Sequence, residues 1–152
     1  MARSMSKYPV PAEASKISEH CSRTERKRIL IVEDDRLCLI VLRQLLTAQG
    51  HEILQASEGR DAFARARNER PDLILMDIRL PDISGLDATR LLKNDDQTKN
   101  IPIIAVTAFI SSGYEIKALE SGCDAYISKP VNIDKLLRTV EFFLSSGVAR
   151  LQ

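Results

Sequence analysis

Acidic, hydroxyl and ammonium side chains recur at one kind of place in this 152-residue chain, directly after a short apolar run. Glu33-Asp34-Asp35 follow Ile29-Leu30-Ile31-Val32, and Asp77 follows Leu73-Ile74-Leu75-Met76. Thr107 follows Ile103-Ile104-Ala105-Val106, and Lys129-Pro130 follow Ala125-Tyr126-Ile127-Ser128. Clustered carboxylates repel one another, and a hard divalent cation relieves that repulsion. Mg²⁺ takes oxygen ligands and bridges to phosphate oxygens. Glu33 and Asp34 could hold it directly or through water. Asp77 could be a ligand through one oxygen and a nucleophile through the other. Thr107 could donate a hydrogen bond to a phosphoryl oxygen, and Lys129 could pair with its charge. Phosphoryl transfer needs mostly positioning and charge neutralisation, which this set supplies.

Each residue also has a plainer reading. Asp34 or Asp35 could cap the helix that follows. Asp77 could be a turn residue, Thr107 an ordinary strand terminus and Lys129 a solvated loop charge, since Lys-Pro is a loop dipeptide by default. The chemical reading depends on all of them occupying equivalent positions in one architecture.

That architecture follows from the periodicity. The apolar runs are short and β-branched, as strands buried on both faces are. His51 to Ala56 reads as a weaker strand between the first two of them. Leu37, Val41 and Leu45, reinforced by Ile40, recur at helical spacing, and Gly50 stops that helix. A helix is expected from about Gly59 to Arg70, with Ser57 as N-cap and Pro71 after it. Further helices are expected from beyond Gly85 to about Asn94 and from Ser112 to Ser121. Ile133, Leu136, Leu137, Val140 and Leu144 mark an amphipathic last helix. Five strand–helix units imply a parallel sheet covered by helices on both faces. Ligands then bind outside the carboxyl ends of the strands, where the polar residues lie.

Composition agrees with this. Hydrophobic residues make up 44% and charged residues 28%, as in soluble globular domains. Twenty-two basic residues nearly balance 21 acidic ones, a net charge of +1 that argues against nucleic acid or membrane partners. No apolar run approaches the ~20 residues needed to span a bilayer. Cys21, Cys38 and Cys123 form no disulfide or zinc pattern and point to a reducing compartment. Residues 1–26 read as a flexible extension, 27–147 as the folded domain and 148–152 as a short tail, which leaves no room for an output domain.

The stretches Ile-Leu-Ile-Val-Glu33-Asp-Asp, Leu-Ile-Leu-Met-Asp77-Ile-Arg-Leu-Pro-Asp-Ile-Ser-Gly, Ala-Val-Thr107-Ala and Ala-Tyr126-Ile-Ser-Lys129-Pro resemble the response-regulator receiver family. They span about residues 27 to 145 and, with Thr47-Ala48-Gln49-Gly50 and the segment around Cys123, look most like DivK-type cell-cycle regulators. The resemblance implies the doubly wound (βα)5, flavodoxin-like and CheY-like fold with strand order 2-1-3-4-5. It implies Asp77 as phosphoacceptor, and a Mg²⁺ shell of Glu33, Asp34, Asp77 and the Arg79 backbone carbonyl. Thr107 would move onto the phosphoryl group and Tyr126 would swing inward with it. Lys129 would bond the acyl phosphate, the Lys129–Pro130 peptide would be cis, and the small Ala108 would leave Asp77 open to a donor. Arg79 and Phe109 occupy positions that tune how long the phosphoryl group lasts.

The implied partners are a histidine kinase or histidine phosphotransfer protein and a downstream kinase, phosphatase or adaptor. They would read a surface formed by the fourth helix, fifth strand and fifth helix, including Ile110, Tyr114 and Tyr126. The implied protein is cytoplasmic and bacterial, recruited to a cell pole by partners, monomeric or dimeric on phosphorylation. It would catalyse only its own phosphorylation and dephosphorylation. A flavin carrier would need a Ser/Thr/Gly-rich phosphate loop where this chain has three carboxylates. A dehalogenase-type phosphohydrolase would need an acid at position 79, which is Arg. The other alternative is an adaptor with the fold and without phosphorylation.

Overall fold

The computed structural model describes residues 26–108 and 112–150. Nearly all of the expected N-terminal extension, with Cys21, lies outside the described residues, as do Phe109, Ile110 and residues 151–152. Five strands and five helices alternate: β1 (Arg28–Val32), α1 (Arg36–Ala48), β2 (Glu52–Ala56), α2 (Gly59–Glu69), β3 (Leu73–Met76), α3 (Gly85–Lys93), β4 (Ile103–Thr107), α4 (Ser112–Ser121), β5 (Ala125–Ser128) and α5 (Ile133–Arg150). All strand pairs are parallel, in the order β2-β1-β3-β4-β5.

The continuous apolar strands are explained by two cores, one on each face of the sheet. Leu30, Val32, Ile74, Met76, Ile103 and Ala105 pack with Ala62, Ala66, Leu86, Leu92 and Ala118 from α2, α3 and α4. The alternate residues Ile29, Ile31, Leu73, Leu75, Ile104 and Val106 pack with Leu42 and Leu46 of α1 and with Leu136, Val140 and Leu144 of α5. Alternation in the strands, with both faces covered, gives the all-apolar runs seen in the sequence.

Two local expectations are corrected. The stripe that marked α1 is buried only at Leu45, which packs partly against the core. Leu37 is 74%, Val41 50% and Ile40 37% exposed, whereas Leu42 and Leu46 face the core. Apolar residues occur on both sides of α1, so spacing alone identified the helix but not its inner face. Ser57 is not the N-cap of α2. That position is Glu58, whose side chain makes no capping bond. The amides of Gly59 and Arg60 instead donate to Asp82, at 2.8 and 2.9 Å.

Gly50 is the stop that the sequence implied, and Gly122 serves α4 in the same way. Gly50 and Gly122 adopt positive φ, 94° and 114°, just after α1 and α4. Gly85 serves a different purpose, a close approach. A Cβ there would lie 2.0 Å from the Asp77 carbonyl oxygen and 2.8 Å from Ile78 Cα. Both are backbone atoms and cannot rotate aside. Gly85→Ala is therefore expected to destabilise the domain by about 2–3 kcal/mol, as overpacking does. Urea denaturation measures this, and a loss below ~0.5 kcal/mol would show that α3 can back away from β3.

Candidate functional site

The sheet ladder carries the polar residues to one edge. β1 and β3 end in register, with Val32 opposite Met76. The Asp77 amide extends that ladder by donating to the Val32 carbonyl at 3.0 Å, and the Glu33 amide donates to Ala56 O at 3.0 Å. On the other side Thr107 pairs with Ser128, and the Lys129 amide donates to Thr107 O at 2.9 Å. Each site residue is thus placed by backbone bonds that also hold the core together.

These residues surround a cavity of about 310 Å³, lined by the Glu33–Asp35 triplet, Asp77, Arg79, Thr107, Ala108 and Lys129. Glu33 (2% exposed), Asp77 (6%) and Thr107 (1%) are buried, whereas Asp34 is exposed. Lys129 Nζ donates to Glu33 Oε1 at 2.7 Å and reaches Asp77 Oδ2 at 3.4 Å. Glu33 Oε2 accepts from the Asp35 amide at 3.1 Å, and Asp77 Oδ1 accepts from the Arg79 amide at 3.2 Å. The carboxylates are therefore aimed before any ligand arrives.

The plainer reading holds for one member of the acidic triplet. Asp35 is the N-cap of α1, its Oδ1 accepting from the amides of Leu37 and Cys38. Glu33 and Asp34 remain for chemistry. One carboxylate oxygen each from Glu33, Asp34 and Asp77 lies within 4.8 Å of the others. A donor set of carboxylate oxygens alone, partly open to solvent, suits a hard cation such as Mg²⁺ that keeps some of its waters.

Electrostatics point the same way. Burial pushes the Glu33 carboxyl above its usual range and neighbouring Asp77 adds to this, against the stabilising bonds from Lys129 and the Asp35 amide. Burial alone would lower the Lys129 ammonium, but bonding to Glu33 and the charges of Asp77 and Glu33 raise it. Lys129 is therefore a fixed positive charge, one cation serving two buried carboxylates. A second cation would relieve the rest of the repulsion.

The Lys129–Pro130 peptide is cis. Ala108 is exposed at the cavity mouth, and Arg79 is exposed beside it. The Tyr126 ring packs against the core of the α2–α3–α4 face, and its hydroxyl is buried with no hydrogen-bond partner among the described residues. Phe109, expected beside Ala108, lies outside the described residues.

Sequence reasoning did not single out Cys38 or Asp82. Cys38 is close enough to Glu33 and Lys129 to feel both charges; burial first, then Glu33, pushes its thiol up to about 11. It is an inert neighbour of the site rather than a nucleophile. Asp82 reaches amides 22 and 23 positions away, a pairing that no local pattern encodes.

With this geometry in view, the likenesses to known proteins fall into one group. The response regulator receiver domain profile matches residues 29–141. The polar-differentiation response regulator DivK of Brucella anthropi is 46% identical over 121 residues, covering 80% of this chain and 98% of that protein. DivK of Brucella ovis is 44% identical with the same coverage. A CheY-like receiver domain protein from Methanospirillum hungatei superposes with a TM-score of 0.77 at 33% identity, covering 83% of this chain and 99% of that one. The receiver domain of a sensor histidine kinase from Pseudomonas aeruginosa, solved with magnesium coordinated in its active-site cleft, gives a TM-score of 0.75 at 32% identity, covering 80% and 99%. Strand order, acidic cluster and relatives agree, and the chain belongs to the response regulator receiver domain family.

Proposed function

We propose that this chain is a phosphorylation switch of a bacterial two-component phosphorelay, with Asp77 as the residue that takes the phosphoryl group. The observation that carries this reading is the convergence of Glu33, Asp34 and Asp77 within 4.8 Å, with Lys129 bonded to two of them. A carboxylate oxygen of Asp77 attacks phosphorus, and the bond from phosphorus to the donor's imidazole nitrogen breaks. The imidazole leaves with the electron pair and takes up a proton. Lys129 Nζ, 3.4 Å from Asp77 Oδ2, neutralises a phosphoryl oxygen. Thr107, at the end of β4, donates its hydroxyl to another. Glu33, Asp34, Asp77 and the Arg79 carbonyl would hold Mg²⁺, which when bound supplies positive charge to the transferring phosphoryl oxygens.

The chain acts once per signal rather than turning over a substrate. An acyl phosphate of about −1.5 to −2 in place of the single carboxylate charge biases the surface of α4, β5 and α5 through Thr107 and Tyr126. Exposed Ile116 and Leu119 on α4 and Phe142 on α5 supply apolar area there for a downstream kinase, phosphatase, adaptor or second copy. The likeness to polar-differentiation regulators supports a place in cell-cycle signalling, with partners recruiting the chain to a cell pole.

The outward stripe of α1 supports a protein donor. Leu37, Val41, Pro130, Val131 and Ile133 line an apolar groove that shares Lys129 with the acidic cavity. A donor docked there would present its phosphohistidine to Asp77.

Two measurements test this reading. Incubation with Mg²⁺ and acetyl phosphate is expected to add the mass of one phosphoryl group, lost with EDTA and in Asp77→Asn. An adduct that survives Asp77→Asn overturns Asp77 as the phosphoacceptor, and no adduct at all returns the chain to the adaptor reading. Val41→Asp, at a half-exposed position, is expected to slow transfer from a phosphorylated histidine phosphotransfer protein by about tenfold, some 1.4 kcal/mol. Its rate with acetyl phosphate should match wild type; equal slowing with both donors would place the defect in the site rather than in docking.

A further inference from the structure

The segment from Asp77 to Gly85 leaves the sheet edge and returns to nearly the same point. Its neck is pinned, since the Gly85 amide donates to Ile78 O at 2.7 Å. α3 also begins hard against the Asp77 carbonyl. The Arg79 amide is held from the neck by Asp77 Oδ1 at 3.2 Å, and the outer part of the loop lies beyond it. That part is fastened from across the molecule, by α2. Both carboxylate oxygens of Asp82 accept from the first amides of α2, Oδ1 from Gly59 at 2.8 Å and Oδ2 from Arg60 at 2.9 Å. Next to this tether, a Cβ on Gly59 would lie 2.6 Å from Ile83 Cγ1, so the loop packs directly onto the helix start.

Between the pinned Ile78 carbonyl and the pinned Asp82 side chain lie only Arg79, Leu80 and Pro81. Pro81 contributes little freedom, because its ring fixes φ. Fastening such a short span at both ends limits where the Arg79 carbonyl can point. We infer that Asp82 is a positioning residue for cation binding, holding the Arg79 carbonyl toward Glu33, Asp34 and Asp77 through its bonds to the N-terminus of α2. The inference rests on the reading of that cluster as a Mg²⁺ site.

The anchor suits the task. Its side chain is only 18% exposed. Desolvation pushes its carboxyl up, but the amide bonds from Arg60, Gly59 and Ile83 prevail and hold it down at about 2, so the tether is charged wherever the protein is folded near neutrality. α2 depends on it in return, since Glu58 makes no capping bond. Without the tether, the span beyond Arg79 gains freedom that ion binding must remove, and groups that orient metal ligands usually matter about tenfold or more in affinity.

Mg²⁺ titration of the full chain by isothermal calorimetry, without any phosphodonor, tests this. Asp82→Ala is expected to bind Mg²⁺ about tenfold more weakly than wild type. Asp82→Asn, which keeps one acceptor, should fall between them. Asp61→Ala removes a first-turn carboxylate of α2 whose side chain bonds Arg65, not the loop, and should bind like wild type. That control separates loss of the tether from general weakening of α2. Wild-type affinity in Asp82→Ala overturns the inference while leaving the Mg²⁺ site standing. If Asp82→Ala does not fold, Asp82→Asn decides, and wild-type affinity there overturns it equally. If wild type binds no Mg²⁺, or Asp77→Asn binds as well as wild type, the metal reading itself falls and takes the inference with it.

Discussion

Two buried carboxylates share one ammonium group, and much of this molecule is arranged around that imbalance. Glu33 and Asp77 are brought together by neighbouring strands, and Lys129 reaches both from the far side of β4. Like charges at such separations cost several kcal/mol when water is excluded, and a single cation does not cancel two anions. The core must be stiff enough to hold the carboxylates where they would not choose to be. The two apolar layers supply that stiffness, and the backbone bonds at the strand ends transmit it to the site. Concentrated negative charge of this kind favours a divalent cation, which would offset part of it.

The supporting groups divide the work by distance. Asp35 ties down the start of α1, which leaves Glu33 and Asp34 facing the cavity. The Asp35 and Arg79 amides orient one oxygen of Glu33 and one of Asp77. Gly85 lets α3 press against β3, and Asp82 fastens the loop between them to α2. On the opposite side the Tyr126 hydroxyl is buried with no partner among the described residues.

The strand ends were readable in the sequence because burial on both faces leaves an unbroken apolar run, and the first polar residue after it marks the sheet edge. Glu33, Asp77, Thr107 and Lys129 were found that way, and all four line the cavity. What stayed hidden depended on distance or on degeneracy. Leu37, Val41 and Leu45 have helical spacing, but so do Leu42 and Leu46, and only packing in the folded core covers Leu42, Leu46 and part of Leu45 while leaving Leu37 and Val41 outside. The division of labour within Glu33-Asp34-Asp35 was left open because a capping carboxylate and a ligand carboxylate are the same chemical group. The bond from Asp82 to α2 spans more than 20 residues, while Ser57 offered a local cap that the backbone did not use.

The proposed switch confines phosphoryl chemistry to one oxygen-bearing side chain among several neighbours. Borohydride reduction of the protein after treatment with Mg²⁺ and acetyl phosphate converts an acyl-phosphorylated aspartate to homoserine, which peptide mass spectrometry locates. Homoserine at position 77 alone is the predicted result. Homoserine at position 34 or 35, or none anywhere under conditions that phosphorylate a known receiver domain, would contradict the account.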